Sequence, residues 1–185
     1  MPINKARQEL SSLKSLAGSS LHTPSLDLVV CRPRVGVGCL LVCPSHPDHV
    51  LVGARKGSHG EGQLALPGGH LEYGASFQEC ASAELQEECG LQVLPCRWVG
   101  PVHTSNNIML DSDLHYITLF MAARVSAEEA AAITNVEENK CEGWSWLPLS
   151  TLRHSPPLPL FLPLQLFLGA NGEALLEAAL PPSKE

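Results

Sequence analysis

Leu66-Pro67-Gly68-Gly69-His70-Leu71-Glu72-Tyr73-Gly74, running into residues 75–91, is the stretch whose reading decides the fold. Ser76 and Glu79 have the Ser-x-x-Glu spacing of a capping box, so a helix is expected to begin there. Gly90 supplies a left-handed stop after its last turn. Between these signals Phe77, Cys80, Ala81 and Leu85 fall on one apolar face. Glu84, Glu87 and Glu88, at i, i+3 and i+4, project from another.

A solvated acidic face is the plain alternative, and two magnitudes count against it. Like charges at these spacings cost a few tenths of a kcal/mol per pair. Glu87 and Glu88 also occupy the last turn, where the helix dipole disfavours each anion by roughly 0.3–1 kcal/mol. A chain selected for stability alone would carry Lys or Arg there. Carboxylates clustered at an unfavourable helix end make sense if a hard divalent cation binds them. Mg²⁺, with Mn²⁺ as a substitute, takes oxygen ligands and commonly bridges carboxylates to substrate phosphates.

Outward from this segment, residues 35–43 and 50–54 are short β-rich runs separated by a turn at 44–48, the pattern of a hairpin. Further strands are expected at 97–103, 115–125 and 144–147. A short helix is expected at 127–133, a buried one at 161–168 and a weak helical tail at 173–180. This order predicts an α/β fold, a mixed β-sheet flanked by helices in an α/β/α sandwich. Residues 1–30 are expected to be an N-terminal extension, either disordered or, being basic and Ser-rich, a transit segment. Residues 31–170 are expected to make one domain, and 171–185 a C-terminal tail.

The 185 residues carry 19 acidic against 12 basic side chains, a net charge of −7. That balance argues against a nucleic-acid polymer as partner. No run of about 18 apolar residues exists, so no membrane span is expected. Seven cysteines, an odd number without a C-x-x-C pair, read as small hydrophobes in a reducing compartment. The cytoplasm is the expected location, with plastid or mitochondrion as the alternative if residues 1–30 are cleaved. His46 and His49 read as part of the 44–48 turn rather than as metal ligands.

The segment from Gly69 to Leu91 resembles the signature of the Nudix hydrolases, G-x5-E-x7-R-E-U-x-E-E-x-G-U, where U is bulky and aliphatic. It matches at Glu84, Leu85, Glu87, Glu88, Gly90 and Leu91, and departs at Ala75 and Ala83, where the family has Glu and Arg. Arg55-Lys56-Gly57-Ser58, His115-Tyr116-Ile117-Thr118, Asn135-Val136-Glu137 and Gly143-Trp144-Ser145-Trp146 extend the likeness. They point to the subgroup of plant cytosolic Nudix hydrolase 1 and the MutT-like nucleotide hydrolases. The resemblance implies Mg²⁺-dependent hydrolysis of a diphosphate bond in a small-molecule substrate, and relatives that are often homodimers. It makes Glu84 and Glu88 the metal ligands, joined by the Gly68 carbonyl, with Glu87 a ligand through water or a base. Arg55 and Lys56 stand where phosphate contact is expected, and Gly69 lets the backbone approach closely.

Loss of both Glu at 75 and Arg at 83 leaves no unpaired charge, so the fold should tolerate the two alanines. Asn139 replaces a further carboxylate of the subgroup, with Glu138 as a candidate substitute. The same resemblance places Thr118, Phe161 and Leu162 in the substrate pocket. Leu162 stands where relatives carry Trp, and Ala65 where they carry Gln or Ser. Three readings follow: a hydrolase of nucleoside triphosphates such as 8-oxo-dGTP, a prenyl-diphosphate hydrolase, and a catalytically weakened nucleotide-binding module.

Overall fold

Strand β1 (Arg34–Val42) explains the architecture, because its apolar run is buried on both faces. Val37, Cys39 and Leu41 point into one core cluster with Leu85 and Cys89, while Leu40 points into a second with Phe120 and Phe167. Helices therefore have to cover both sides. The computed structural model describes residues 32–57 and 59–180, and in it one helix, α1 (Phe77–Cys89), supplies the first cover. The second comes from α4 (Leu162–Gly169) and α5 (Gly172–Ala179). Short helices α2 (Ala127–Ala131) and α3 (Leu149–His154) complete the layers.

The strands form two sheets. In the larger, β4 (Gly68–His70), β1, β6 (Leu114–Arg124) and β5 (Val99–Met109) lie in that order. The β1–β6 pair is parallel from Arg34↔Tyr116 to Val42↔Arg124, and the β1–β4 and β5–β6 pairs are antiparallel. The smaller sheet places β2 (His49–Arg55) between β3 (Leu64–Ala65) and β7 (Cys141–Pro148). The expected α/β sandwich with a mixed sheet is what forms.

Two expectations need correction. The 44–48 turn is present, with His46 N–H donating to the Cys43 carbonyl at 3.0 Å. The strands it joins do not pair as a hairpin, because β4 and β6 occupy both edges of β1 and β2 enters the other sheet. The strand expected at 97–103 instead follows a 3₁₀ turn at Pro95–Arg97 and runs on to Met109. The helical tail expected at 173–180 is α5, with Leu176 buried in the second core cluster and Arg124 donating to the Leu180 carbonyl at 3.0 Å.

α1 begins and ends at the signals its sequence carries. Ser76 and Glu79 make the reciprocal capping box, and Gly90 closes α1 in the left-handed conformation at φ 68°. Cys39, Cys43, Cys80, Cys89, Cys96 and Cys141 are all free thiols, and only Cys96 is exposed. No described helix is long and apolar enough to cross a membrane. The extension expected at 1–30 lies outside the described residues.

Candidate active site

Capping fixes the register of α1 and so aims its carboxylates. Glu84 is half-buried against β4, so close that a Cβ on Gly69 would collide with its carboxylate. One turn on, Glu88 Oε2 accepts the Gly68 N–H at 2.8 Å. Gly68 is itself obligatory, since its φ of 146° and the adjacent Val37 carbonyl leave no room for a side chain. Burial pushes both carboxyls up to about 7. The Glu87 charge adds to this at Glu84; at Glu88 the Gly68 N–H opposes it and the Glu84 charge reinforces it. Glu87 is exposed.

A third element reaches this cluster. Glu137, after α2, has Oε2 buried without a hydrogen-bond partner among the described residues, while Lys140 Nζ holds its Oε1 at 2.7 Å. The Glu137 charge bears on both Glu84 and Glu88, and so does that of Lys140. Glu137 is therefore the loop carboxylate that approaches the site. Glu138, the expected substitute for the residue lost at Asn139, is exposed, and its carbonyl accepts from Lys56 Nζ at 3.1 Å.

Among the described residues no three His, Cys, Asp or Glu side chains converge closely enough to hold a metal unaided. The donor set nevertheless fits a hard cation. The nearby thiols of Cys39 and Cys89 are buried, and burial pushes them up, so they stay protonated. Two carboxylates and an orphaned carboxylate oxygen remain. Mg²⁺ typically takes only one or two protein carboxylates, the rest coming from water and phosphate.

Gly68 and Gly69 also form part of the wall of a cavity of about 160 Å³. Arg55, Thr118 and Phe161 line it as expected, together with His59, Met109 and Leu114. The Arg55 guanidinium lies 4.6 Å from the Phe161 ring centroid. Burial pulls its pKa down, and the Glu88 charge opposes that. Lys56 and Leu162 are not brought to this wall. Lys56 Nζ pairs with Glu142 at 3.1 Å instead.

The cavity floor is polar. Thr118 is 8% exposed, and its Oγ1 accepts from Asn107 Nδ2 at 2.9 Å. Accepting that bond leaves the Thr118 hydroxyl hydrogen available for another acceptor. Asn107 is fully buried, held also by Ser105 and the Tyr116 carbonyl. Sequence reasoning missed Asn107, His59 and the role of Glu137. The alternation along β5 that buries Ser105 and Asn107 was the available signal for the first. A larger, more open cleft of about 810 Å³ lies between α3, α4 and the loop that joins them, and no carboxylate lines it.

Comparison with known proteins bears on this geometry. Residues 32–165 match the family described as NUDIX domain. Among solved structures, the chain is similar to a MutT NUDIX hydrolase from Burkholderia pseudomallei, with a TM-score of 0.62 and 23% identity over 75% of this chain and 97% of that one. A MutT protein from Methanosarcina mazei Go1 gives 0.61 and 18%, over 84% and 98%. The NUDIX domain of Shewanella oneidensis NrtR, solved with ADP ribose, gives 0.54 and 18%, over 90% and 98%.

Proposed function

Because the chain belongs to the Nudix family of diphosphate-bond hydrolases, we propose that it is a Mg²⁺-dependent pyrophosphohydrolase of nucleoside triphosphates, with oxidised purine nucleotides such as 8-oxo-dGTP as substrates. One observation carries the reading: the glycines against which Glu84 and Glu88 pack are also the wall of a pocket with a hydrogen-bonding floor. A diphosphate end and a base end thus have adjoining places. The sequence likeness to the MutT-like subgroup supports the same choice.

In this reading Glu84 and Glu88 hold the cation, with the Gly68 carbonyl completing the set. The bound cation supplies neutralisation of phosphate oxygens and a lowered pKa for an attacking water. Arg55, fixed against Phe161, takes a phosphate oxygen, for which its planar fork suits it. Glu87, or Glu137 through its unpartnered Oε2, accepts the proton of the water. The base enters the cavity and meets the Thr118 hydroxyl. A volume of about 160 Å³ is well below the 300–1,000 Å³ typical of pockets that engulf a whole ligand, and suits burial of one ring system.

A prenyl-diphosphate hydrolase is the second reading, favoured by the apolar walls at Leu66, Phe120 and Leu164. The test is turnover of 8-oxo-dGTP, dGTP and geranyl diphosphate with Mg²⁺ against an EDTA blank. Metal-dependent release of pyrophosphate from the nucleotides, exceeding any turnover of geranyl diphosphate, is expected. Preference for geranyl diphosphate selects the second reading. Binding without any turnover leaves a nucleotide-binding module.

A further inference from the structure

His59 stands on the loop between β2 and β3, outside every motif that carries the family likeness, and its side chain is built into the pocket. Arg55 Nε donates to its carbonyl at 3.0 Å, and Gly62 N–H returns to the Arg55 carbonyl at 2.9 Å, so the loop is folded back onto the strand it leaves. The ring meets Phe161 edge-on with centroids 5.8 Å apart. Ser112 Oγ lies 2.9 Å from Nδ1, and Nε2 faces the Met109 thioether. Two segments, 109–112 and the one bearing Phe161, therefore hold the imidazole at the cavity wall that also contains Thr118.

The contact with Ser112 admits the tautomer protonated at Nε2. A serine hydroxyl donates readily to Nδ1, which leaves the proton on Nε2, the nitrogen that faces sulfur. A thioether is a weak acceptor on a flexible side chain, and a carbonyl oxygen is a much better one. A ligand bringing such an oxygen would take the Nε2–H from Met109 at little cost. Away from Arg55, the pocket then offers the Thr118 hydroxyl and His59 Nε2–H as hydrogen-bond donors beside the apolar side chains of Leu66, Phe120 and Leu164. That is an arrangement for reading a polar ring, and a hydrocarbon tail would leave both donors with poorer partners.

We propose that His59 is a specificity-determining residue of this pocket, whose imidazole donates a hydrogen bond to an acceptor, such as a ring carbonyl, on the buried end of the substrate. The inference rests on the nucleotide reading of the same site and deepens it. It also names what separates the two readings: His59 favours a nucleobase and gains nothing from a prenyl chain.

The experiment compares wild type with His59→Phe, which keeps the ring packing against Phe161, and His59→Gln, which keeps a donor. Each is assayed for kcat and KM on 8-oxo-dGTP and on geranyl diphosphate, with melting temperature as a folding control. Loss of one neutral hydrogen bond corresponds to roughly tenfold. His59→Phe is expected to raise KM for the nucleotide about tenfold with kcat nearly unchanged and not to raise KM for geranyl diphosphate, and His59→Gln to recover most of the loss. Equal KM in all three proteins, parallel loss on both substrates, or no rescue by Gln overturns the proposal. Should wild type fail to hydrolyse nucleotides, the function reading falls, and calorimetric binding of 8-oxo-dGMP decides this one separately. Weaker binding by His59→Phe than by wild type sustains it, and equal binding or none overturns it.

Discussion

Gly69→Ala separates the work of the site from the stability of the fold. Gly69 lies in ordinary extended backbone, so alanine meets no conformational obstacle there. Its Cβ would stand 2.5 Å from Glu84 Oε2, where ordinary contact begins near 3.4 Å, and closer still to the other carboxylate atoms. The Glu84 carboxylate must therefore retreat by about 1 Å, a misplacement that costs on the order of 10²-fold in rate when the group positions reactants. The obstacle is the far end of a flexible side chain, so the melting temperature should change by less than about 3 °C. Gly68→Ala is the contrasting variant. Its φ of 146° and the Val37 carbonyl on β1 put the clash in backbone, which has no easy way to yield. It should lower the melting temperature by at least about 5 °C. Steady-state turnover with Mg²⁺ and a thermal melt of each variant make the comparison. A folded Gly69→Ala protein with wild-type kcat/KM would show that Glu84 is not held for catalysis, and the metal-ligand assignment would fall with it.

Three further expectations follow from other parts of the molecule. Glu88→Gln should reduce kcat at least about 100-fold and remove the rise in melting temperature that saturating Mg²⁺ gives wild type, about 2.7 kcal/mol at a hundred times Kd; an equal Mg²⁺ effect on both proteins would contradict it. The Arg97 guanidinium grips Glu129 in the α2 capping box and, with the Ser126 N–H, holds its carboxyl near about 2. A depressed carboxylate stabilises the folded state above its unfolded pKa and loses that contribution on acidification. Glu129→Gln should therefore cost about 1 kcal/mol above pH 5, a deficit that vanishes between about pH 4.5 and pH 2 in denaturant titrations. Leu176→Ala, in the segment that composition suggests is a tail, should cost about 2–5 kcal/mol in the same assay.

What was legible from the sequence is what is locally determined. The α1 boundaries come from Ser76, Glu79 and Gly90, all within the helix or touching its ends, and the carboxylates it carries followed directly. β4 was not legible, because Gly68-Gly69-His70 has no strand propensity of its own and pairs only because β1 offers it an open edge. The far half of β5 was hidden in the same way: Ser105, Asn106 and Asn107 read as turn formers until tertiary packing buries two of them. Arg55 and Lys56 were read as one basic pair. Neighbouring residues at a strand end diverge, and here Arg55 reaches the cavity while Lys56 reaches Glu142.

The altered signature acquires a physical account from these contacts. Ala75 and Ala83 remove an acid and a base together, and neither leaves a charge in need of a partner: Ala83 is exposed, and the Ala75 N–H is satisfied by the Glu72 carbonyl at 3.2 Å. Lys140, on the loop before β7, bonds Glu137 and brings a positive charge to the cluster. Lys140 lies close enough to lower the proton affinity of Glu84. Glu88 is positioned by a backbone N–H rather than by a side chain. The helix end is anchored from outside α1: the Gly68 N–H of β4 holds the Glu88 carboxylate, and the Glu88 carbonyl accepts from the Val136 N–H and from Trp144 Nε1, so its geometry does not depend on side chains at positions 75 and 83.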